Sequence, residues 1–354
     1  MVDLSSFLRG VNRPVVGVDI SSSAVKVMEV NGSLSNIRLD GYAIENLNKG
    51  VVEEGALTDI NQVADAIRRC VKRMRTSTKR CALALPSSNV IKKVVSIDEN
   101  LNEQDLEAQI ESEANQYIPF SLDEVNLDYQ LLGTSKKAGH NDYIIAAARR
   151  ERVEERVAAA EGAGLNPVIM DDEGVALQAS LSFMEGVGES GTVVMMSIGA
   201  QKIQFIFIEN GNIVNTREQA FGGWLLTQEM MRVYGWTSEQ AERAKRQKNF
   251  PPNFEQEILR SFLNKLHLET SRGLQYYRTA SKKEKIDLII LSGGSSTIQG
   301  AVETIRDKTG IKTIVANPFT DIPLSSKIKS DILHEEAPTL MLALGLAIRR
   351  FDEE

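Results

Sequence analysis

The sequence is poor in the residues that build most metal and nucleophile sites. It holds two cysteines, Cys70 and Cys81, and three scattered histidines, His140, His267 and His334. Two thiols exclude a four-cysteine zinc site, and the pair suits a reducing compartment. Isolated imidazoles argue against a histidine-based metal or nucleophile centre. No apolar run approaches the ~20 residues that span a bilayer. The opening residues carry Asp3 and lack the apolar centre of a signal peptide. Basic residues are outnumbered 48 to 41, a formal charge of −7, which disfavours bulk nucleic-acid binding. Disorder is excluded too: 42% of residues are hydrophobic and 25% charged, as in a globular protein, and 354 residues allow two or three domains.

What the sequence does have is β-branched runs alternating with amphipathic helices. Val15–Ile20, Ala24–Val30 and Ile37–Leu47 read as strands, with Asn31-Gly32 as a hairpin turn. A helix starts near Asp59, with Gln62 placed for a capping box. Its apolar stripe is Ile60, Val63, Ala64, Ile67, Val71 and Met74. The opposite face carries Arg68, Arg69, Lys72, Arg73 and Arg75, which reads either as a solvated face or as a contact for an acidic partner or lipid headgroups. Residues 83–165 read as strand–helix–strand–strand–helix, a small inserted domain, with Asn102 capping the first helix and Pro119 ending it. A strand Asn166–Met170 and a helix Glu173–Met184 follow, then a glycine-rich break at Gly186, Gly188 and Gly191. Three further strands come next, Thr192–Ser197, Ile203–Ile208 and Ile213–Glu218. Residues 225–285 are mostly helical, Ile286–Leu291 is a buried-type strand, and helices are expected from about Thr297 to Lys308 and over Pro338–Arg350.

The two halves repeat one another. Setting Val16–Val30 on Val194–Ile208 puts Asp19-Ile20 on Ser197-Ile198 and the turn Ser21–Ser23 on Gly199–Gln201. Val25, Val27 and Val30 then fall on Ile203, Phe205 and Ile208, and an Asn-Gly pair follows each time, Asn31-Gly32 and Asn210-Gly211. The offset from residue 19 to residue 197 is 178, close to half the chain. Valine-rich hairpins are common, so chance likeness is the alternative. A tight turn of small residues aims successive N–H groups into a concavity that suits an anion. Two facing turns would clasp a polyphosphate, with Ser21, Ser22, Ser23 and Lys26 from the first and Gly199 and Ala200 from the second. Asp19 ends its strand where a carboxylate holds Mg²⁺ directly or through water. A solvent-facing strand lysine is the plainer reading of Lys26. In Leu291–Ser296, residues Gly293, Gly294 and Ser295 would let a base or ribose approach the backbone, and a following helix N-terminus would favour anions.

Here the chain resembles the actin, heat-shock chaperone and sugar-kinase superfamily. Gly17–Ser23 looks like its first phosphate loop, Ser197–Ala200 like its second, and Leu291–Ser296 like its adenosine loop. Ala241–Lys245 resembles the helix that contacts ribose and base, which implies adenosine roles for Glu242 and Lys245. Glu173–Ser182 and Pro338–Arg350 resemble the connecting helices of the hinge. The implied fold is α/β, a duplicated actin-like (ribonuclease H-like) fold with two halves facing a nucleotide cleft and an α+β insert in the first half. The expected subdomains are 12–82 completed by 166–188 and 338–351, the insert 83–165, 189–224 completed by 286–337, and a helical part 225–285.

Within the superfamily, the insert's position resembles FtsA and the type IV pilus assembly PilM family. The match to PilM is carried by Gln116–Phe120, Asp123–Val125, Asp128-Tyr129, Val16–Lys26 and Phe221–Gly223 with Leu226-Thr227. This resemblance implies a cytoplasmic scaffold that binds ATP (or ADP) with Mg²⁺ and the N-terminal tail of PilN, a single-span inner-membrane protein. It further implies twitching motility as the process, membrane association through PilN, and a link to the pilus motor; motor ATPases, the platform protein and a second copy of the chain are compatible partners. The tail would lie in a groove that involves the insert, with Ile118, Pro119 and Phe120 as a candidate wall, unless these residues pack the insert's own core.

One departure bears on activity. Catalytic relatives begin the second phosphate loop with Asp, and this chain has Ser197, followed by Gln201 and Lys202 where small or hydroxyl residues are expected. A serine hydroxyl is a poor Mg²⁺ ligand or base, so nucleotide binding with slow or absent hydrolysis is the expectation. A metabolite kinase on this fold needs a carboxylate base that the second loop does not supply. An FtsA-type tether ends in an amphipathic helix, whereas Arg349–Glu354 ends in acids that anionic lipid repels. At the other end Leu4, Phe7, Leu8 and Val11 share one helical face beside Arg9, either packed on the protein or contacting a partner or membrane.

Overall fold

The computed structural model describes residues 14–184, 187 and 190–351. The amphipathic opening segment, Gly186, Gly188 and the acidic end 352–354 lie outside the described residues. The chain divides into two compact units. One runs up to Val27 and from Tyr42 to Glu173; the other joins Met28–Gly41 to the chain from Gly174 on.

The described chain opens with β1 (Val16–Ile20), β2 (Ala24–Ser33), β3 (Asn36–Asn46) and the two-residue strands β4 (Val52–Glu53) and β5 (Ala56–Leu57), of which Met28–Gly41 counts with the second unit and the rest with the first. Then come α1 (Ile60–Met74), β6 (Arg80–Leu85), β7 (Val90–Asp98), α2 (Glu103–Tyr117), β8 (Val125–Thr134), β9 (His140–Arg149), α3 (Arg150–Gly162) and β10 (Asn166–Asp172). The main sheet has the order β10-β6-β1-β2-β3, with β1, β6 and β10 parallel. Its core joins Val16, Val18, Val25 and Val27 to Val63, Ile67 and Leu83. The α1 stripe is buried as its spacing predicts. Asp59 caps the helix by accepting from the Gln62 N–H at 2.9 Å. The capping box does not close, because the Gln62 side chain instead accepts from the Asn48 N–H at 3.2 Å.

Both cysteines lie in this core with no solvent exposure, and burial pushes each thiol up to about 12. Alkylation requires the thiolate. Iodoacetamide at neutral pH is therefore expected to modify neither cysteine in the folded protein and both in denaturant, with mass spectrometry as the readout. Rapid native-state labelling would contradict this burial.

Strands β7, β9 and β8 form a separate antiparallel sheet in the order β7-β9-β8. Helix α2, capped by Asn102, packs Ile110 and Ala114 onto Val95, Ile97, Ile145 and Ala147. It ends at Tyr117, one residue before Ile118 and two before Pro119. The last helix of the segment, α3, behaves differently: its Ala159 and Ala160 are buried in the main-sheet core beside α1.

The second unit continues with α4 (Glu173–Ser180), β11 (Thr192–Ile198), β12 (Ile203–Glu209), β13 (Asn212–Gln219), α5 (Gly223–Tyr234), α6 (Ser238–Gln247), α7 (Arg260–Ser281), β14 (Leu288–Ser292), α8 (Ala301–Thr309), β15 (Thr313–Val315), α9 (Ser330–Glu336) and α10 (Met341–Ile348). Its sheet order is β13-β12-β11-β14-β15: an antiparallel β11–β12–β13 meander, then β14 and β15 parallel to β11. Helices α5 to α8 cover one face through Phe205, Phe207, Leu226, Phe262 and Leu291. Leu177 of α4 and Met341 of α10 pack with Met195, Ile206 and Ile290 on the other.

Three local expectations need correction. Asn210-Gly211 is a two-residue hairpin turn with both φ positive, 48° and 79°, but Asn31-Gly32 lies inside β2 and the turn falls at Leu34-Ser35. No helix begins at Thr297: successive turns fill 294–300 and α8 starts at Ala301, so no helix N-terminus adjoins Gly293-Gly294. The last helix is shorter than expected, with 3₁₀ turns at Ala337–Thr339 and Arg349–Phe351 flanking α10.

Candidate functional site: two equivalent strand turns

The repeat is structural as well as sequential. In the first turn the Ser21 N–H donates to Ala24 O at 3.0 Å; at an offset of 178 the Gly199 N–H donates to Lys202 O at 2.9 Å. The same turn bond at the same offset, within sheets of matching strand order, removes chance likeness of two hairpins as an explanation. Each turn leaves two successive N–H groups, those of Ser22 and Ser23 and those of Ala200 and Gln201, without a hydrogen-bond partner among the described residues. Such groups are what an anion takes.

In the first unit, Asp19 is the last residue but one of β1 and is 4% exposed. Lys26, from β2, is not a solvent-facing strand lysine. Its Nζ lies 2.6 Å from Asp19 Oδ2 and 3.3 Å from Ser21 Oγ, and its side chain is 12% exposed. The Ser21 hydroxyl in turn donates to Ala24 O at 2.9 Å. Asp19 Oδ1 is buried without a hydrogen-bond partner. Among the described residues no cluster of three His, Cys, Asp or Glu could cage a metal. One carboxylate with one oxygen on an ammonium does not fit an all-protein Mg²⁺ site. It fits a role in which Oδ1 accepts from a water on a metal that phosphates hold.

At the equivalent positions of the second unit, Ser197 on β11 stands directly opposite Gln204 on β12. Where the first half has a buried ion pair, the second has two neutral polar groups.

Around the second turn the chain is interlocked. The Gly199 carbonyl accepts from the Gly223 N–H and from Ser295 Oγ, both at 3.0 Å, and the Ala200 carbonyl from the Trp224 N–H at 2.8 Å. The Ser295 N–H donates to Ile198 O at 3.0 Å. Glycine is required for these approaches: a Cβ on Gly222 would lie 2.4 Å from Ala200 O, and one on Gly293, at φ +81°, 2.6 Å from Ile198 O. From α6, Lys245 Nζ donates to Glu242 Oε1 and Thr227 Oγ1, each at 2.9 Å, and to Gly223 O at 3.2 Å. So Gly199, Ala200, Glu242, Lys245, Gly293 and Ser295 gather in one place, with Gly294 following Gly293 in the same turn. Gly222, Gly223 and Thr227 belong to this cluster although sequence reasoning assigned them no site role; the Gly-Gly pair ahead of a helix was the available signal.

Of the three candidate wall residues on the insert, Ile118 is buried in the insert's core, so its side chain cannot line an open groove. Pro119 and Phe120 are exposed, and the Arg149 guanidinium lies 5.1 Å from the Phe120 ring centre. Lys93 stands similarly over exposed Tyr117, at 4.5 Å.

Comparison with known proteins places this geometry. The family model described as type IV pilus assembly protein PilM matches residues 17–351. A solved PilM–PilN type IV pilus biogenesis complex is 25% identical with a TM-score of 0.80, covering 96% of this chain and 99% of that one. The ethanolamine utilization protein EutJ of Carboxydothermus hydrogenoformans is 19% identical, TM-score 0.58, covering 96% and 93%. MreB 5 of Spiroplasma citri, bound to AMPPNP, is 13% identical, TM-score 0.50, covering 96% of each chain. The last two are likenesses of fold alone. Together these establish the duplicated actin-like architecture. Among the described residues no helix is long and apolar enough to cross a membrane.

Proposed function

The chain belongs to the type IV pilus assembly protein PilM family, and on that footing we propose that it is an actin-like scaffold of the pilus machinery. In this reading it takes the cytoplasmic N-terminal tail of an inner-membrane PilN as partner and binds ATP or ADP. The observation that carries the reading is the end-to-end likeness to a PilM–PilN complex, 96% of this chain on 99% of that one.

Nucleotide binding is supported by the two turns. Ser22, Ser23, Ala200 and Gln201 present free N–H groups for phosphate oxygens, and Lys26, paired with Asp19, stands 3.3 Å from the Ser21 hydroxyl of the first turn. Glu242, Lys245, Gly293, Gly294 and Ser295 are the candidate adenosine contacts. Mg²⁺, when bound with the phosphates, would screen their charge, with Asp19 holding a metal-bound water. The second turn has no carboxylate to orient an attacking water, since Ser197 and Gln204 are neutral. Nucleotide then serves as a bound ligand and turnover is slow or absent.

The tail of PilN is a short peptide, and such peptides anchor through a few apolar side chains. Phe120, exposed and backed by Arg149, is the proposed anchor on the insert. A fluorescent PilN N-terminal peptide titrated into the protein, with and without Mg-ATP, is the test. Saturable binding is expected. Phe120→Asp is expected to weaken it at least about tenfold, a loss of ~1.4 kcal/mol, with an unchanged thermal midpoint. Absence of binding in both conditions would overturn the scaffold reading. Steady ATP turnover abolished by Asp19→Ala would overturn the non-hydrolytic part of it.

A further inference from the structure

Helix α1 and the loop after it concentrate positive charge. Between residues 60 and 80 stand seven Lys or Arg and a single acid, Asp65, in a protein of formal charge −7. Part of this charge is neutralised at home. Arg68 pairs with Asp65, and Arg69 and Arg73 share Glu45. Lys72, Arg75 and Lys79 are exposed and have no ion pair among the described residues. Arg68 and Lys72 stand one turn apart at the helix C-terminus, Arg75 follows as the left-handed residue that ends the helix, and Lys79 continues the basic run in the loop.

The neighbours of these cations decide what they fit. A protein partner is held chiefly by apolar or aromatic anchors seated in pockets. Among the described residues, none of the exposed large apolar side chains falls within 60–80, and across the sheet edge the exposed Val168 of β10, two residues after the Asn166 that donates to the Lys79 carbonyl, is a lone valine and not an aromatic anchor in a pocket. The face is the outside of a helix whose apolar stripe is already spent on the core. Charge on an exposed helix face with no aromatic anchor within it suits a layer of negative headgroups, which asks for nothing else.

We propose that this basic face of α1 is an electrostatic contact for an anionic lipid surface. It is distinct from the partner contact on the insert, and it does not rest on the PilN reading. Lys72, Arg75 and Lys79 carry the attraction, while Arg68, Arg69 and Arg73 contribute less because their acids stay with them.

The test is cosedimentation of the full-length protein with vesicles of phosphatidylglycerol in phosphatidylcholine. Binding is expected on anionic vesicles, not on pure phosphatidylcholine, and is expected to fall steeply between low salt and about 0.5 M. Reversing Lys72, Arg75 and Lys79 together to Glu is expected to lower partitioning by more than about a hundredfold, since losing three charges at roughly fivefold each already gives that factor and the added acids are repelled. Neutralising Lys72→Gln and Arg75→Gln alone is expected to give a smaller loss in the same direction, and guards against a folding defect in the triple variant. Three results overturn the proposal: no binding to anionic vesicles, equal binding by wild type and variants, or equal binding to neutral vesicles. Failure on vesicles together with charge-dependent binding of a polyglutamate peptide would assign the face to an acidic protein instead.

Discussion

Gly345→Ala is expected to cost about 3 kcal/mol of folding stability, although alanine is the better helix former. Gly345 sits in the middle of α10, whose residues are buried except for the half-buried Leu342. A Cβ there would lie 1.8 Å from Ala176 O and 2.5 Å from Ala176 C, both backbone atoms of α4. No rotamer relieves a clash between a methyl and a backbone carbonyl. The two helices must therefore move apart, and the contacts of Leu177 and Met341 with the sheet beneath them loosen as they do. Overpacking of this kind costs about 1–3 kcal/mol, and more when backbone is the obstacle. The gain in helix propensity, about 1 kcal/mol, does not offset it. Equilibrium urea denaturation of the full chain measures the effect as a lowered midpoint. An unchanged midpoint would mean that the α4–α10 contact yields freely.

The second large effect is expected at the buried pair. Lys26→Met removes the ammonium from Asp19 and leaves a carboxylate that is 4% exposed, with Oδ1 already without a partner. Breaking a buried pair by removing one member costs about 3–5 kcal/mol, whereas replacing both members is often close to neutral. The protein itself contains the neutral alternative, Ser197 opposite Gln204 at the equivalent strand positions. The double variant Asp19→Ser with Lys26→Gln is therefore expected to recover most of the stability that Asp19→Ser or Lys26→Gln loses alone. Urea midpoints for the four proteins of the cycle give the coupling directly. Additive losses would show that the pair contributes no mutual stabilisation, and the contrast between the halves would then need another cause.

Much of the architecture is legible from local patterns. The α1 stripe, its Asp59 cap, the Asn102 cap and the end of α2 ahead of Pro119 were all readable, because each depends on residues within one or two turns of one another. The offset of 178 was readable because the strand residues beyond each turn match, Val25, Val27 and Val30 falling on Ile203, Phe205 and Ile208 with an Asn-Gly pair after each. Where the local signal competed with the sheet, the sheet won. Asn31-Gly32 is the strongest short hairpin signal in the first half, yet β2 runs through it and turns at Leu34-Ser35. Ile118 and Phe120 look alike in sequence, but the end of α2 directs Ile118 into the insert's core and leaves Phe120 outside.

By itself, then, the sequence determined the periodic elements, the duplicated turn and the exchange of Asp19 for Ser197. These follow from chain stereochemistry and from identities at a fixed offset. Tertiary structure alone decided that Lys26 is spent on Asp19, that Gly222 and Gly293 lie against the carbonyls of Ala200 and Ile198, and that Lys245 bridges Gly223, Thr227 and Glu242. Partners such as these meet only after strands and helices have packed. Which carbonyl a glycine will face, or which carboxylate an ammonium will find, is set by the packing of distant segments and not by spacing along the chain.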